Sequence, residues 1–188
     1  STGTNGTYLG YQAGYTTTGS GFVAVGYRSG YVKSGSDNYA SVMVGNEAGV
    51  ATTTGLDNTF LGGFAARINT TGSSNVAVGA AALYSNTTAS NNTAVGYQAG
   101  FANTTGIENA SLGQGAGFTN ITGSYNTMLG TKAGNATNNS SNTFIGEQSG
   151  FVITATENTA LGAFSLVANT SGTGNVALGF RSLNGNTT

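Results

Sequence analysis

A parallel β-solenoid (a β-roll) of eleven rungs, each of about 17 residues with two short strands, is the fold class this sequence predicts. Three observations predict it. A glycine recurs at near-constant spacing through the whole chain, the residue types around it keep a fixed order, and the composition suits neither helices nor a disordered coil.

The anchor glycine stands at Gly10, Gly26, Gly45, Gly62, Gly79, Gly96, Gly113, Gly130, Gly146, Gly162 and Gly179. The step is 17 residues, with excursions to 16 and one to 19 that accommodates an insertion near Asp37 to Tyr39. Asn92 to Glu108 is a representative unit. It is too short for two helices and too rich in Gly, Thr and Asn to favour one.

Each rung can be read from its first strand onward. Four residues before the anchor, Asn recurs as Asn58, Asn75, Asn92, Asn109, Asn126, Asn142, Asn158 and Asn175. Amide side chains stacked at about 4.8 Å can form a hydrogen-bonded ladder, and Asn also suits a turn. Immediately before the anchor stands an aliphatic column: Leu9, Val25, Val44, Leu61, Val78, Val95, Leu112, Leu129, Ile145, Leu161 and Leu178. Thr or Val lies two residues earlier in almost every rung, on the same side of a strand by the period of two. That side is expected to be the core. The residue between them varies from Ala24 to Met43 to Phe60, which suggests an outward face and a subunit contact.

After the anchor come a position limited to Ala or Ser, a mostly Gly position and a mostly aromatic one, as in Ala99, Gly100 and Phe101. A site that tolerates only small side chains is expected to be squeezed between backbone layers. The rung closes on a Thr-Thr-Gly stretch with turn chemistry. Sequons at Asn69, Asn86, Asn103, Asn120 and Asn169 fall in that turn, where a glycan has room.

Composition sets the function classes. Only 6% of the 188 residues are charged and 32 are glycine, with no proline, cysteine, histidine or tryptophan. Typical soluble domains carry about 25% charge. A net charge of -1 supplies no basic patch for nucleic acid, and no apolar run is long enough for membrane insertion. Without His or Cys the common catalytic triads, thiolate nucleophiles and zinc sites are missing, so neither an enzyme nor a cofactor site is expected. Of the carboxylates, Glu147 and Glu157 could approach across a rung, but a regular rod offers no cleft for a glycosidase pair. Gly113 to Gly117 lacks the Lys-Ser/Thr ending of a phosphate loop and keeps the register of every other turn. Tyr11, Tyr27 and Tyr97 with Arg28 and Gln98 form a candidate receptor strip after the anchor, since aromatic and polar groups together suit carbohydrate contact.

Asn75-Val76-Ala77-Val78-Gly79 and Asn92 to Gly100 resemble the Ser-Val-Ala-Ile-Gly repeats of trimeric autotransporter adhesin heads. The Gly-Tyr-Gln-Ala segment from Gly96 is still more similar to repeats of phage and large-virus tail-fibre or surface-fibre proteins. The resemblance runs from Thr7 to about Leu183. It implies a left-handed roll in each chain, three chains side by side, and a role in surface attachment. The longer rung, with its added Thr/Asn/Gly turn, favours the viral-fibre side.

Residues 1–188 are therefore expected to form one repeat domain, a segment of a longer extracellular fibre on a virion or cell surface. Its expected partners are copies of itself, as a homotrimer or filament, and a host-surface glycan or protein receptor. Two alternatives accompany this expectation. An ice-binding solenoid would use the Thr pairs from Thr53-Thr54 to Thr104-Thr105, and a purely structural filament would polymerise end to end.

Overall fold

A computed structural model describes residues 5–18, 20–32, 40–169 and 171–185; the insertion around Asp37 to Tyr39 lies outside the described residues. Eleven three-residue strands, from Thr7–Leu9 to Val176–Leu178, stack in chain order into one parallel sheet. Each pairs with the next at equivalent rung positions: Thr93 with Ala110, Ala94 with Ser111, Val95 with Leu112. The chain is a parallel β-solenoid of about 17 residues per rung.

A second strand was expected in every rung, and among the described residues three rungs have one. Ala136–Thr137, Val152–Ile153 and Ala168–Asn169 form a separate parallel sheet of three strands. Elsewhere the far wall is a series of turns. Gln98 has φ 56° and Gly100 φ 59°, and the same positions are left-handed along the roll. Rung-to-rung ladders persist without extended geometry: the Leu83, Gly100 and Gly117 N–H groups donate to the Ala99, Ala116 and Ala133 carbonyls at 2.9–3.0 Å. Backbone polarity is thus satisfied between rungs on both walls.

The anchor glycine follows from stacking. Gly96 has φ 131°, and a Cβ there would stand 2.7 Å from the carbonyl oxygen of Gly113 in the next rung. Neighbouring anchors make the same close approach, so a side chain would both strain the backbone and push two rungs apart.

The expected core column is corrected by the structure. Leu9, Val25, Val44, Leu61, Val78, Val95, Leu112, Leu129, Ile145, Leu161 and Leu178 point away from the interior and are half-buried to exposed. Val95 is 37% and Leu178 71% accessible. The middle residue of each strand lies inside instead: Ala24, Met43, Phe60, Ala77, Ala94, Met128, Phe144, Ala160 and Ala177 are at most 1% accessible. The subunit contact expected from those Met and aromatic residues is overturned with it. Period two separates the faces of a strand but carries no sign, and here both faces are apolar.

Volume explains why the inner column varies. Across the narrow roll, the residue four after the anchor complements the strand's middle residue. Met43, Met128 and Phe144 oppose Gly49, Gly134 and Gly150, whereas Ala77 and Ala160 share their rungs with Leu83 and Leu166. A Cβ at Gly49 would lie 2.4 Å from the Met43 sulfur, and one at Gly150 2.4 Å from the Phe144 ring. Where both positions are small, a neighbour fills the space: Leu83 reaches over Gly100, and Phe22 over Gly30. Close packing is maintained by reciprocity within and between rungs. The Ala/Ser position after the anchor is buried throughout the middle of the roll.

Two columns of buried asparagine brace the walls. Along Asn58, Asn75, Asn92, Asn109, Asn126, Asn142, Asn158 and Asn175, each Oδ1 accepts the backbone N–H of the next member at 2.9–3.0 Å. The Nδ2 groups of Asn75, Asn92 and Asn109 donate to Ala89, Gly106 and Gly123 carbonyls. From the other side the same carbonyls accept Asn86, Asn103 and Asn120. One carbonyl therefore ties two amides together.

The second column consists of residues whose sequons suggested room for a glycan. Asn69, Asn86, Asn103, Asn120 and Asn169 are at most 2% accessible, and their amides are hydrogen-bonded inside the roll. No glycan fits on them in the folded chain. The column gives way to Thr52 before Asn69 and Thr137 after Asn120, and the Thr52 Oγ1, Asn120 Oδ1 and Thr137 Oγ1 atoms there are buried without partners.

Candidate functional site

The outer surface has three faces of different chemistry. The first is the outward side of the long sheet, where Thr or Val and aliphatic residues form two parallel columns. Leu129, Leu161, Val176 and Leu178 are 44%, 45%, 71% and 71% accessible. At about 4.8 Å per rung the columns extend for roughly 50 Å. No charged side chain stands in either column. A contiguous face of this kind, on the order of 500 Å2, is at the upper end of what monomers leave open.

The second face follows the anchor. The Tyr11 and Tyr27 rings stack at 5.6 Å, and Tyr15 and Tyr31 at 5.4 Å. Arg28 lies over the Tyr31 ring at 4.6 Å and reaches Glu47 Oε1 at 3.5 Å. Glu47 also accepts the Arg67 Nε at 2.7 Å, and Arg67 donates to the Tyr84 hydroxyl at 3.1 Å. The Glu47 carboxylate, then Tyr84, hold the Arg67 pKa above its ordinary value. Tyr84 opens a further stack through Phe101 to Phe118, each step 5.1 Å.

The candidate receptor strip is accordingly two separate places. Tyr11, Tyr27 and Arg28 gather on the first two rungs, with Arg28 already engaged by Tyr31 and Glu47. Tyr97 and Gln98 lie four rungs further on, about 19 Å away. Tyr97 is 53% accessible, and Gln98 borders a pocket of about 230 Å3 with Gln114, Gly115, Phe118, Lys132 and Asn135. Sequence reasoning treated Gly115 only as part of a turn, placed Lys132 in the same surface column as Arg28 and Gln98, and passed over Asn135. The available signal was a change in two columns on adjacent rungs, Gly115 where its neighbours carry Gln98 and Lys132, and Asn135 where its neighbours carry Phe118 and Phe151.

The third face is the Thr turn. Thr53, Thr70, Thr87 and Thr104 donate their hydroxyls to the carbonyls of Thr70, Thr87, Thr104 and Ile121 at 2.9–3.2 Å. One threonine of each pair is consumed in tying rungs, leaving a single file of exposed hydroxyls at Thr54, Thr71, Thr88 and Thr105.

Glu147 and Glu157 are exposed at opposite ends of neighbouring strands. At about 3.3 Å per residue they stand roughly 15 Å or more apart, beyond the ~5–9.5 Å of glycosidase pairs. Among the described residues no three His, Cys, Asp or Glu side chains gather as a metal site, and no helix is long and apolar enough to cross a membrane.

No family model, curated protein or solved structure matches the chain.

Proposed function

We propose that this chain is a non-enzymatic segment of an extracellular attachment fibre, the shaft or receptor-binding part of a viral tail fibre or trimeric surface adhesin. Three left-handed rolls pack side by side in this reading. The observation that carries it is the uncharged outer face of the eleven-stranded sheet, an aliphatic column beside a column of Thr and Val. Burying that face against copies of itself removes a long apolar strip from water and leaves the polar turns outside. The number three follows the repeat resemblance. The roll supplies length and regularity, which suits spacing and presentation. The single file of free Thr hydroxyls does not favour ice binding, which requires a two-dimensional array.

Sedimentation equilibrium and native mass measurement test the assembly. The expected mass is three times the 18.6 kDa chain. Val95→Asp, which puts a carboxylate on the outward apolar column, is expected to dissociate or unfold the assembly, because burying an unpaired charge costs several kcal/mol. A stable wild-type monomer whose melting is unchanged by that substitution would refute the proposal.

A further inference from the structure

Two of the roll's surface columns change residue type at neighbouring positions on adjacent rungs. In the column two residues after the anchor, Gln98 and Lys132 flank Gly115, which has no side chain to set between them. A Cβ at Gly115 would make ordinary van der Waals contact with Asn135 Nδ2 at 3.6 Å and Lys132 Cγ at 3.7 Å, so the position admits a side chain between these neighbours without a clash. Beside it, the Tyr84, Phe101 and Phe118 stack ends because the next rung carries Asn135. One face of the Phe118 ring is thus left without an aromatic partner.

The groups around this gap are chemically specific. Asn135 Nδ2 donates to the Gly115 carbonyl at 3.1 Å, which fixes the amide at the rim. Among the described residues no hydrogen bond occupies the side-chain amides of Gln98 or Gln114, and no carboxylate lies within ion-pair distance of Lys132. Glu147 belongs to the rung after that of Lys132, about 5 Å along the stack, and forms no ion pair with it. The pocket thus joins one unpaired cation, two free amides and one aromatic face. Its volume of about 230 Å3 is smaller than the ~300–1,000 Å3 of drug-sized sites, which limits it to a single ring.

We infer that this gap binds one carboxylate-bearing pyranose, an acidic sugar of the uronic or sialic class. The sugar ring continues the aromatic stack on Phe118, its hydroxyls bond to the Gln98 and Gln114 amides, and its carboxylate pairs with Lys132. A charge-assisted hydrogen bond to the ammonium discriminates the acid from its neutral counterpart. The inference deepens the attachment reading and rests on it for its biological purpose. The mass measurement tests assembly and the titration below tests the ligand, so either can fail alone.

The test titrates the whole chain with methyl glucuronide, methyl glucoside and the methyl glycoside of N-acetylneuraminic acid, read by saturation-transfer NMR. The wild type is expected to bind at least one of the acidic glycosides some tenfold more tightly than the glucoside. Gly115→Gln restores the missing side chain at φ 63°, a conformation that Gln98 and Lys132 already adopt in this column, and is expected to abolish binding in a variant that still folds, its melting temperature lowered only by the left-handed strain of a non-glycine residue. Lys132→Gln, on the exposed flank, is expected to equalise acid and neutral sugar. Absence of binding to the wild type, undiminished binding by folded Gly115→Gln, or an acid preference that survives Lys132→Gln would each overturn the assignment.

Discussion

Exchanging volumes within one rung tests the interior directly. Ala77 and Leu83 belong to the same rung and are 0% and 2% accessible. Leu83→Gly removes the isobutyl group, for which Leu→Ala changes cost ~2–5 kcal/mol. Glycine also relieves the left-handed backbone at φ 49°, which offsets about 1–2 kcal/mol. The net loss is about 1–3 kcal/mol. Ala77→Phe alone forces a ring against Leu83 and is expected to cost a further ~1–3 kcal/mol or more. The double variant recreates the arrangement of Phe144 opposite Gly150, where the ring is fully buried. Its loss should fall below about 1 kcal/mol, a coupling of roughly 2 kcal/mol or more between contacting sites. Chemical denaturation of the four proteins measures it. Additive losses, or an Ala77→Phe variant as stable as the wild type, would refute the reciprocal core.

Asn109→Ala should destabilise the roll by about 3 kcal/mol or more in the same assay, because it strips the acceptor from the buried Asn126 N–H and one donor from the Gly123 carbonyl. A change under about 1 kcal/mol would show that the ladder is dispensable. Tyr8→Phe should stabilise by roughly 1 kcal/mol, since the Tyr8 hydroxyl is buried without a partner. Burial also raises the Tyr8 pKa. The folded state holds this proton more tightly, so the associated stability is complete below the ordinary phenol value near ~10 and is lost as pH rises through the higher folded value. Thermal melts from pH 8 to about 11.5 should accordingly fall less steeply for Tyr8→Phe than for the wild type; identical slopes would remove this account.

The repeat, its parallel register and the requirement for glycine at each anchor were legible in the sequence. They are consequences of local geometry repeated at one period: a glycine such as Gly96 is demanded by its own φ and by the equivalent carbonyl one rung away. The side of the strand that faces inward was not legible. Val95 and Ala94 are both apolar, and three residues of alternation cannot assign a sign to either face. Regularity was a misleading guide, because a uniform aliphatic column lines the outside while the interior changes residue from rung to rung. Its constraint is the summed volume of residues such as Met43 and Gly49, which meet only after the chain has coiled.

The same physical distinction separates the candidate sites. The eight-member Asn column could be seen as a ladder because its residues repeat in sequence, whereas the second column looked like a set of glycan acceptors. Burial and the shared carbonyl at Gly106 reveal what Asn103 does, and both arise from the opposite wall of the rung. The pocket beside Lys132 likewise depends on the missing side chain at Gly115 falling next to Asn135, which stands in place of an aromatic ring on the adjacent rung. Sequence alone determined the coil and its period, because these are set by backbone conformations that each rung repeats. Only the tertiary structure decided inside from outside and filled from open, because those properties depend on how the volumes of residues distant along the chain combine across a narrow interior.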